Sequence, residues 1–202
     1  MNFKENIKFR ESINNKVYEG KKATKEEKEW FAVNPCYNEL YDFPCYQRDI
    51  IHLKTNCTYC VTITFESSNS CDMVIPLISV VLGKGEIISN FLLTDSNVKN
   101  QSKIKALGVL ISNENPISSI LFKSANGYMS VKYQSQYFDD RQNIYKREAS
   151  TVNLSYGMKK EYLNENKVRY RCKGRQDEKN EFDALVFTIE WNETEVVKSD
   201  NC

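Results

Sequence analysis

Residues 55–65 read TNCTYCVTITF, and how this stretch is read decides the fold. Cys57, Tyr59, Val61, Ile63 and Phe65 share one parity; Thr58, Cys60, Thr62, Thr64 and Glu66 share the other. Alternation at period two is what a strand with one buried face requires, and β-branched and aromatic residues suit its pleated surface. The same stretch holds a C-x-x-C, a spacing used for zinc and for thiol redox chemistry. On a flat strand, positions i and i+3 point to opposite faces. Zinc needs converging thiolates and two further ligands, and a redox pair normally opens a helix, where the dipole lowers the thiol pKa. The strand reading places Cys57 in the core as a small hydrophobe and Cys60 on the less apolar face. No metal site and no cofactor are expected.

Strand follows strand on the C-terminal side. Met73–Leu82 and Glu86–Leu93 flank Gly83-Lys84-Gly85, and Lys103–Ser112 and Ile117–Lys123 flank Asn113–Pro116. Ala125-Asn126-Gly127 reads as a hairpin turn into Tyr128–Phe138. Asp139-Asp140-Arg141 turns the chain into Ile144–Tyr156. Val168–Lys173 and Phe182–Trp191 read as a last hairpin around Gln176–Asn180. Nine or ten short strands at this spacing, with no helical apolar period after residue 50, predict an all-β, jelly-roll-like antiparallel β-sandwich.

On the N-terminal side, Thr24 to Glu27 is a T-x-x-E capping box ahead of Trp30, Phe31 and Val33. It predicts a short helix near 24–32, stopped at Asn34-Pro35. Residues 1–22 are polar, with Ile13 and Val17 four apart. A short helix and an arm that orders on a partner both fit. The expected layout is an arm, helix and aromatic loop over 1–46, a sandwich over 47–192 and a polar tail over 193–202.

Composition excludes several functions. The chain has 202 residues, 41% hydrophobic and 27% charged, enough for a real core without disulfides. A net charge of +1 gives no global field for nucleic acid. The longest apolar run, Met73–Leu82, is too short to span a bilayer. The first twenty residues contain no apolar signal region. The expected location is therefore the cytoplasm or a virion, with no secretion through a signal peptide. Seven cysteines fit reduced thiols in that setting. His52 is the one histidine, so every histidine-based triad or multi-histidine metal site depends on it. Nucleophile-elbow, H-E-x-x-H, Walker A and dinucleotide-binding patterns are absent from the sequence. A non-enzymatic protein is expected.

Two surfaces are candidates for binding. The loop NPCYNELYDFPCYQRD, 34–49, carries Tyr37, Tyr41, Phe43 and Tyr46 around two prolines. Such a loop either packs on the core or offers a partner-binding face. The stretch KVRYRCKGR, 167–175, sets Lys167, Arg169, Arg171, Lys173 and Arg175 on one parity. As a strand it gives one face of cations, either an anion-binding surface or a solvated face paired with Glu181 and Asp183 across the next turn.

HLKTNCTYCVTITFESS, 52–68, resembles the early strand of carbohydrate-binding-module-like jelly-roll domains of bacterial and phage proteins. The match is on Leu53, Asn56, Tyr59, Val61, Ile63 and Phe65. ISSILFKSANGYMSVKY, 117–133, is similar to a later hairpin of such domains. The resemblance spans about residues 50–137 and implies a non-catalytic module. Together with the loop and arm, the expectation is a protein working by protein–protein contact, self-assembly or glycan contact, as a structural component of a virion or other assembly. The alternative is a cytosolic regulator or inhibitor that takes a small anion or acidic partner on the 167–175 strand.

Overall fold

The computed structural model describes residues 2–69, 74–82, 87–93, 109–139, 141–142, 144–147, 157–173 and 182–195. Among them are two helices and twelve strands.

Helix α1 (Phe3–Tyr18) resolves the arm-or-helix alternative as a helix. Asn2 caps it: its side chain accepts from the Glu5 N–H at 3.0 Å, and the Glu5 carboxylate accepts from the Asn2 N–H at 2.8 Å. Ile13 is its buried apolar anchor. Helix α2 (Lys25–Val33) starts at the Thr24 capping box and ends at Asn34, as expected. The two helices meet through an edge contact of Phe9 on Trp30 at 4.7 Å and a Lys16–Glu27 ion pair at 2.8 Å. Arg10 donates to the Pro35 carbonyl at 2.8 Å, while Arg48 donates to the Asn34 and Phe31 carbonyls. Both guanidiniums thus meet carbonyls at and just past the C-terminus of α2, where the helix dipole favours cations.

The strands are β1 (Cys36–Tyr37), β2 (Tyr46–His52), β3 (Thr58–Ser68), β4 (Val74–Leu82), β5 (Ile87–Leu93), β6 (Val109–Ile111), β7 (Ile117–Lys123), β8 (Tyr128–Asp139), β9 (Ile144–Arg147), β10 (Gly157–Asn164), β11 (Lys167–Lys173) and β12 (Leu185–Glu193). They form one hydrogen-bonded path in the order β6-β5-β4-β8-β2-β10-β11-β12-β3-β7, with β1 on β2 and β9 on β8. All pairings are antiparallel except β5 with β6. The all-β expectation holds. One cluster buries Ile51 and Met129 from β2 and β8 together with Val61, Phe122, Val168 and Phe187 from β3, β7, β11 and β12. Both halves of the path therefore close over a single core.

The alternation in β3 is as expected: Tyr59, Val61, Ile63 and Phe65 are buried and the intervening residues less so. Cys57, just before the strand, packs against the core, and Cys60 lies half-buried on the other face. Among the described residues no group of three or more metal-ligating side chains occurs. No helix among them is long and apolar enough to cross a membrane.

Three expectations need correction. The 125–127 turn joins no hairpin: β7 pairs with β3, and β8 pairs with β2, β4 and β9. The chain crosses there from one half of the sheet to the other. Gly127 has φ 73°, and a Cβ on it would stand 2.8 Å from Thr55 Oγ1, so glycine is required by both backbone and space. Strand β10 is a second departure. Its segment GMKKEYLN lacks clean alternation, yet it forms an antiparallel ladder with β11. Third, the acids seen on the basic strand come from β3, β10 and β12; of the two expected, Asp183 bonds to Asn69 and Glu181 lies outside the described residues. The expected 83–85 and 176–180 turns, most of the 103–112 strand, residues 148–156 and most of the tail lie outside the described residues.

Gly157, at the start of β10, sits against Cys45. A Cβ at 157 would press into Cys45 Sγ, which is fully buried, and stand 3.4 Å from the Tyr46 carbonyl. Gly157→Ala is expected to destabilise by about 1–3 kcal/mol through overpacking. Combining it with Cys45→Ala, which frees the space, is expected to recover most of that loss in urea unfolding.

Candidate functional site: an aromatic and cationic patch

The four aromatic residues of the 34–49 loop divide into two pairs. The Tyr37 and Tyr46 rings lie 5.0 Å apart, tilted by 46°, with the Phe3 ring edge-on 4.8 Å from Tyr37. This pair lies where α1 meets the sheet. Tyr41 and Phe43 lie 5.1 Å apart, and each is 5.9 Å from the Phe182 ring. All four loop aromatics are half-buried, and Phe182 is buried beneath the second pair. The loop therefore both packs on the domain and leaves ring surface outside.

Cations from β10 and β11 converge on the second pair. Lys159 Nζ stands 4.5 Å from the Phe43 ring centre and 4.2 Å from that of Phe182. Lys173 Nζ is 5.7 Å from the Tyr41 ring centre. Both are cation–π distances. Arg171 lies directly opposite Lys159 in the β10–β11 register. Lys159 and Arg171 are exposed, and Arg171 forms no ion pair among the described residues. The end of the basic strand and the aromatic loop, which the sequence presents as separate candidates, are thus one surface.

Two further cations of the basic strand are neutralised. Lys167 pairs with Glu190 at 3.0 Å. Arg169 pairs with Glu66 at 3.0 Å and with Glu161 at 3.5 Å. The expected Asp183 instead accepts from Asn69 at 3.0 Å, and Glu181 and Arg175 lie outside the described residues. The acids come from β3, β10 and β12 because those strands flank β11 or lie one strand beyond it. The face of cations is shorter than expected for a second reason: Lys173 is only 5% exposed.

A buried polar cluster lies between the halves of the sheet. Asp49 is fully buried and accepts from Lys160 Nζ with both carboxylate oxygens, at 3.0 and 2.9 Å. It also accepts from the Tyr170 hydroxyl at 2.7 Å. Lys160 Nζ lies 4.9 Å from the ring centres of both Tyr46 and Tyr162. Burial pushes the Tyr170 hydroxyl well above its ordinary pKa, and the Asp49 charge adds to this. Burial lowers the Lys160 pKa, but Asp49 and Tyr162 together outweigh it and the net shift is upward. Burial also raises Tyr46, and raises the Cys45 thiol to about 12, so neither group ionises near neutrality. The cluster is closed on itself, so it holds strands together and presents no reactive group.

Lys159 and Phe182 are the members of the patch that sequence reasoning missed. Lys159 sits in an unpatterned polar run, and Phe182 is indistinguishable from any first residue of a strand. Neither residue carries a local signal of its neighbours.

No protein-family profile matches the chain, and no curated protein matches it in sequence. Among solved structures it is similar to three bacterial lectins. One is a Chromobacterium violaceum lectin solved with α-methyl-fucoside, at 9% identity and TM-score 0.37, covering 72% of this chain and 96% of that one. A high-affinity mannose-binding lectin of Ralstonia solanacearum matches at 10% identity, TM-score 0.36 and the same coverage of 72% and 96%. The C-terminal domain of a Burkholderia cenocepacia lectin matches at 9% identity, TM-score 0.36 and again 72% and 96%.

Proposed function

We propose that the protein is a non-enzymatic binding module that acts by surface contact, and that Tyr41, Phe43, Lys159 and Arg171 form its contact surface. One observation carries the reading: two exposed cations stand in register beside half-exposed rings, with Lys159 held against Phe43 at 4.5 Å. Aromatic rings and arginine are the groups that concentrate binding energy at contact surfaces. Unneutralised cations beside them select a carboxylate adjoining an apolar or ring face. An acidic peptide and an acidic glycan share that chemistry. In its finer form the reading makes the protein a structural component of a cytoplasmic or virion assembly, with this patch as a contact element. What supports it is the merging of the two surfaces named from the sequence.

Calorimetric titration with a polyuronate oligosaccharide and, separately, with a polyglutamate peptide tests the reading and distinguishes its sources. Binding of one probe is expected to weaken with added salt and to fall by at least about tenfold in Lys159→Ala/Arg171→Ala, with Phe43→Ala also weaker. Binding that ignores both salt and these substitutions overturns the assignment, as does failure of both probes.

A further inference from the structure

We propose that β7 is a self-association edge, pairing antiparallel with β7 of a second copy of this chain about a two-fold axis at Ser119. Among the described residues the strand ends the sheet path, bonded to β3 on one side. Its backbone phase follows from two flanking bonds. Phe65 N–H donates to the Pro116 carbonyl at 2.7 Å, and Ser124 N–H donates to the Cys57 carbonyl at 2.9 Å. Both fit the β3–β7 register, in which Tyr59 faces Phe122 and Ile63 faces Ser118. Bonded pairs alternate in an antiparallel ladder, so the even-numbered residues of β7 turn their N–H and carbonyl groups to β3. Ile117, Ser119, Leu121 and Lys123 turn theirs outward, and none has a backbone partner among the described residues.

The same four residues have their side chains exposed on the outer face. Ile117 is 61% exposed and Leu121 68% exposed. Edge strands are commonly protected by proline, a bulge, an inward charge or extreme shortness. β7 has seven residues, an uninterrupted register and no proline, and its one charge is Lys123 at the end. The other end of the path, β6, has three residues and pairs in parallel.

A second copy fits this edge better than an arbitrary strand because the edge is self-complementary. With Ser119 on the axis, Ile117 faces Leu121 of the second copy, and Leu121 faces that copy's Ile117. Aliphatic pairs form twice on one face, with cross-strand contact available to each. Lys123 lies beyond the paired residues at each end, near the bend that carries the exposed Glu114 of the second copy, so the ends bring opposite charges into one region. All outward N–H and carbonyl groups of residues 117–121 are satisfied in this register. The pairing is isologous and closes as a dimer. One strand from each copy buries less than the roughly 1,600 Å² of a standard interface, so the dimer belongs to the weak, concentration-dependent class.

Sedimentation velocity over a wide concentration range tests this with the full chain. The wild type is expected to pass from monomer to dimer. Leu121→Glu and Ser119→Pro are expected to raise the dissociation constant at least about tenfold while leaving the circular-dichroism spectrum unchanged; Ser119→Pro also loses the 2.8 Å hydroxyl bond to Thr62, so Leu121→Glu is the variant expected to keep the wild-type melting temperature. Proline is tolerated at Ser119 because its N–H faces outward and gives no bond to β3. Lys159→Glu, in the binding patch, is expected to leave the dimer intact. A wild type that stays monomeric at every concentration overturns the proposal. So does a dimer that survives both β7 substitutions.

Discussion

Asp49→Ala is expected to lower the unfolding free energy by about 3–5 kcal/mol, read as a drop in the urea midpoint at unchanged slope. The carboxylate is fully buried and takes three charge-assisted or hydroxyl hydrogen bonds, two from Lys160 and one from Tyr170. Its removal leaves the largely buried Lys160 ammonium without a counter-charge, beside the Tyr46 and Tyr162 rings. The loss reflects that stranded charge more than the worth of the pair. Asp49→Leu combined with Lys160→Met, which removes both charges at similar volume, is therefore expected to be far milder than either single change. If the double variant is as unstable as Asp49→Ala, the stranded-charge account fails. The pH dependence has a definite sign. Lys160 is raised above its ordinary value of 10.5 in the folded state, with burial opposing and Asp49 and Tyr162 together prevailing. Its contribution is complete below the unfolded-state lysine pKa and is lost as pH climbs through the higher folded-state value. Wild-type stability should therefore fall in strongly alkaline solution more steeply than that of the double variant.

Phe187→Ala is expected to cost about 3–5 kcal/mol as well, through lost burial and a cavity that β-ladders on both sides cannot collapse into. Phe187 is fully buried in the first half of β12, opposite Tyr170 on β11 and Phe65 on β3. Its ring stacks on Tyr170 at 5.2 Å. Phe187→Leu should cost much less, because it keeps most of the volume. The stack also positions the hydroxyl that donates to Asp49, so Phe187→Ala and Asp49→Ala share a partner. A double-mutant cycle is expected to show coupling of about 0.5–3 kcal/mol. Strict additivity in urea unfolding would show that the Tyr170 ring is held independently of Phe187.

Local pattern made some elements legible and left others hidden. β3 and β11 alternate at period two and fold as strands with those faces. Thr24 and Glu27 announce α2 because a capping box is a four-residue affair. Asn2 and Glu5 form the same device ahead of α1, but the polar helix that follows has one fully buried apolar anchor, Ile13, and so carries a weak periodic signal. β10 was hidden because Lys159, Lys160 and Glu161 follow one another; Lys160 serves Asp49, 111 residues away, while Lys159 lies on rings outside. The turn at 125–127 has hairpin chemistry, yet whether the next strand pairs back or crosses over depends on partners far along the chain. The patch was half legible: Tyr41, Phe43 and Arg171 stand out by residue type. Their meeting with Lys159 and Phe182 is a property of the ladder register.

The place of β12 in the sheet has a consequence for synthesis. The strand lies between β11 and β3, yet it comes last among the described strands. A nascent chain that has not yet delivered residue 193 beyond the ribosome holds β3 and β11 with a whole strand missing between them. The apolar face of β3, made more than a hundred residues earlier, waits uncovered on its inner edge throughout. Closure of the core therefore waits on the last of the described strands. The segment most in need of a chaperone's cover during translation is TYCVTITF, the run whose alternation identifies the fold.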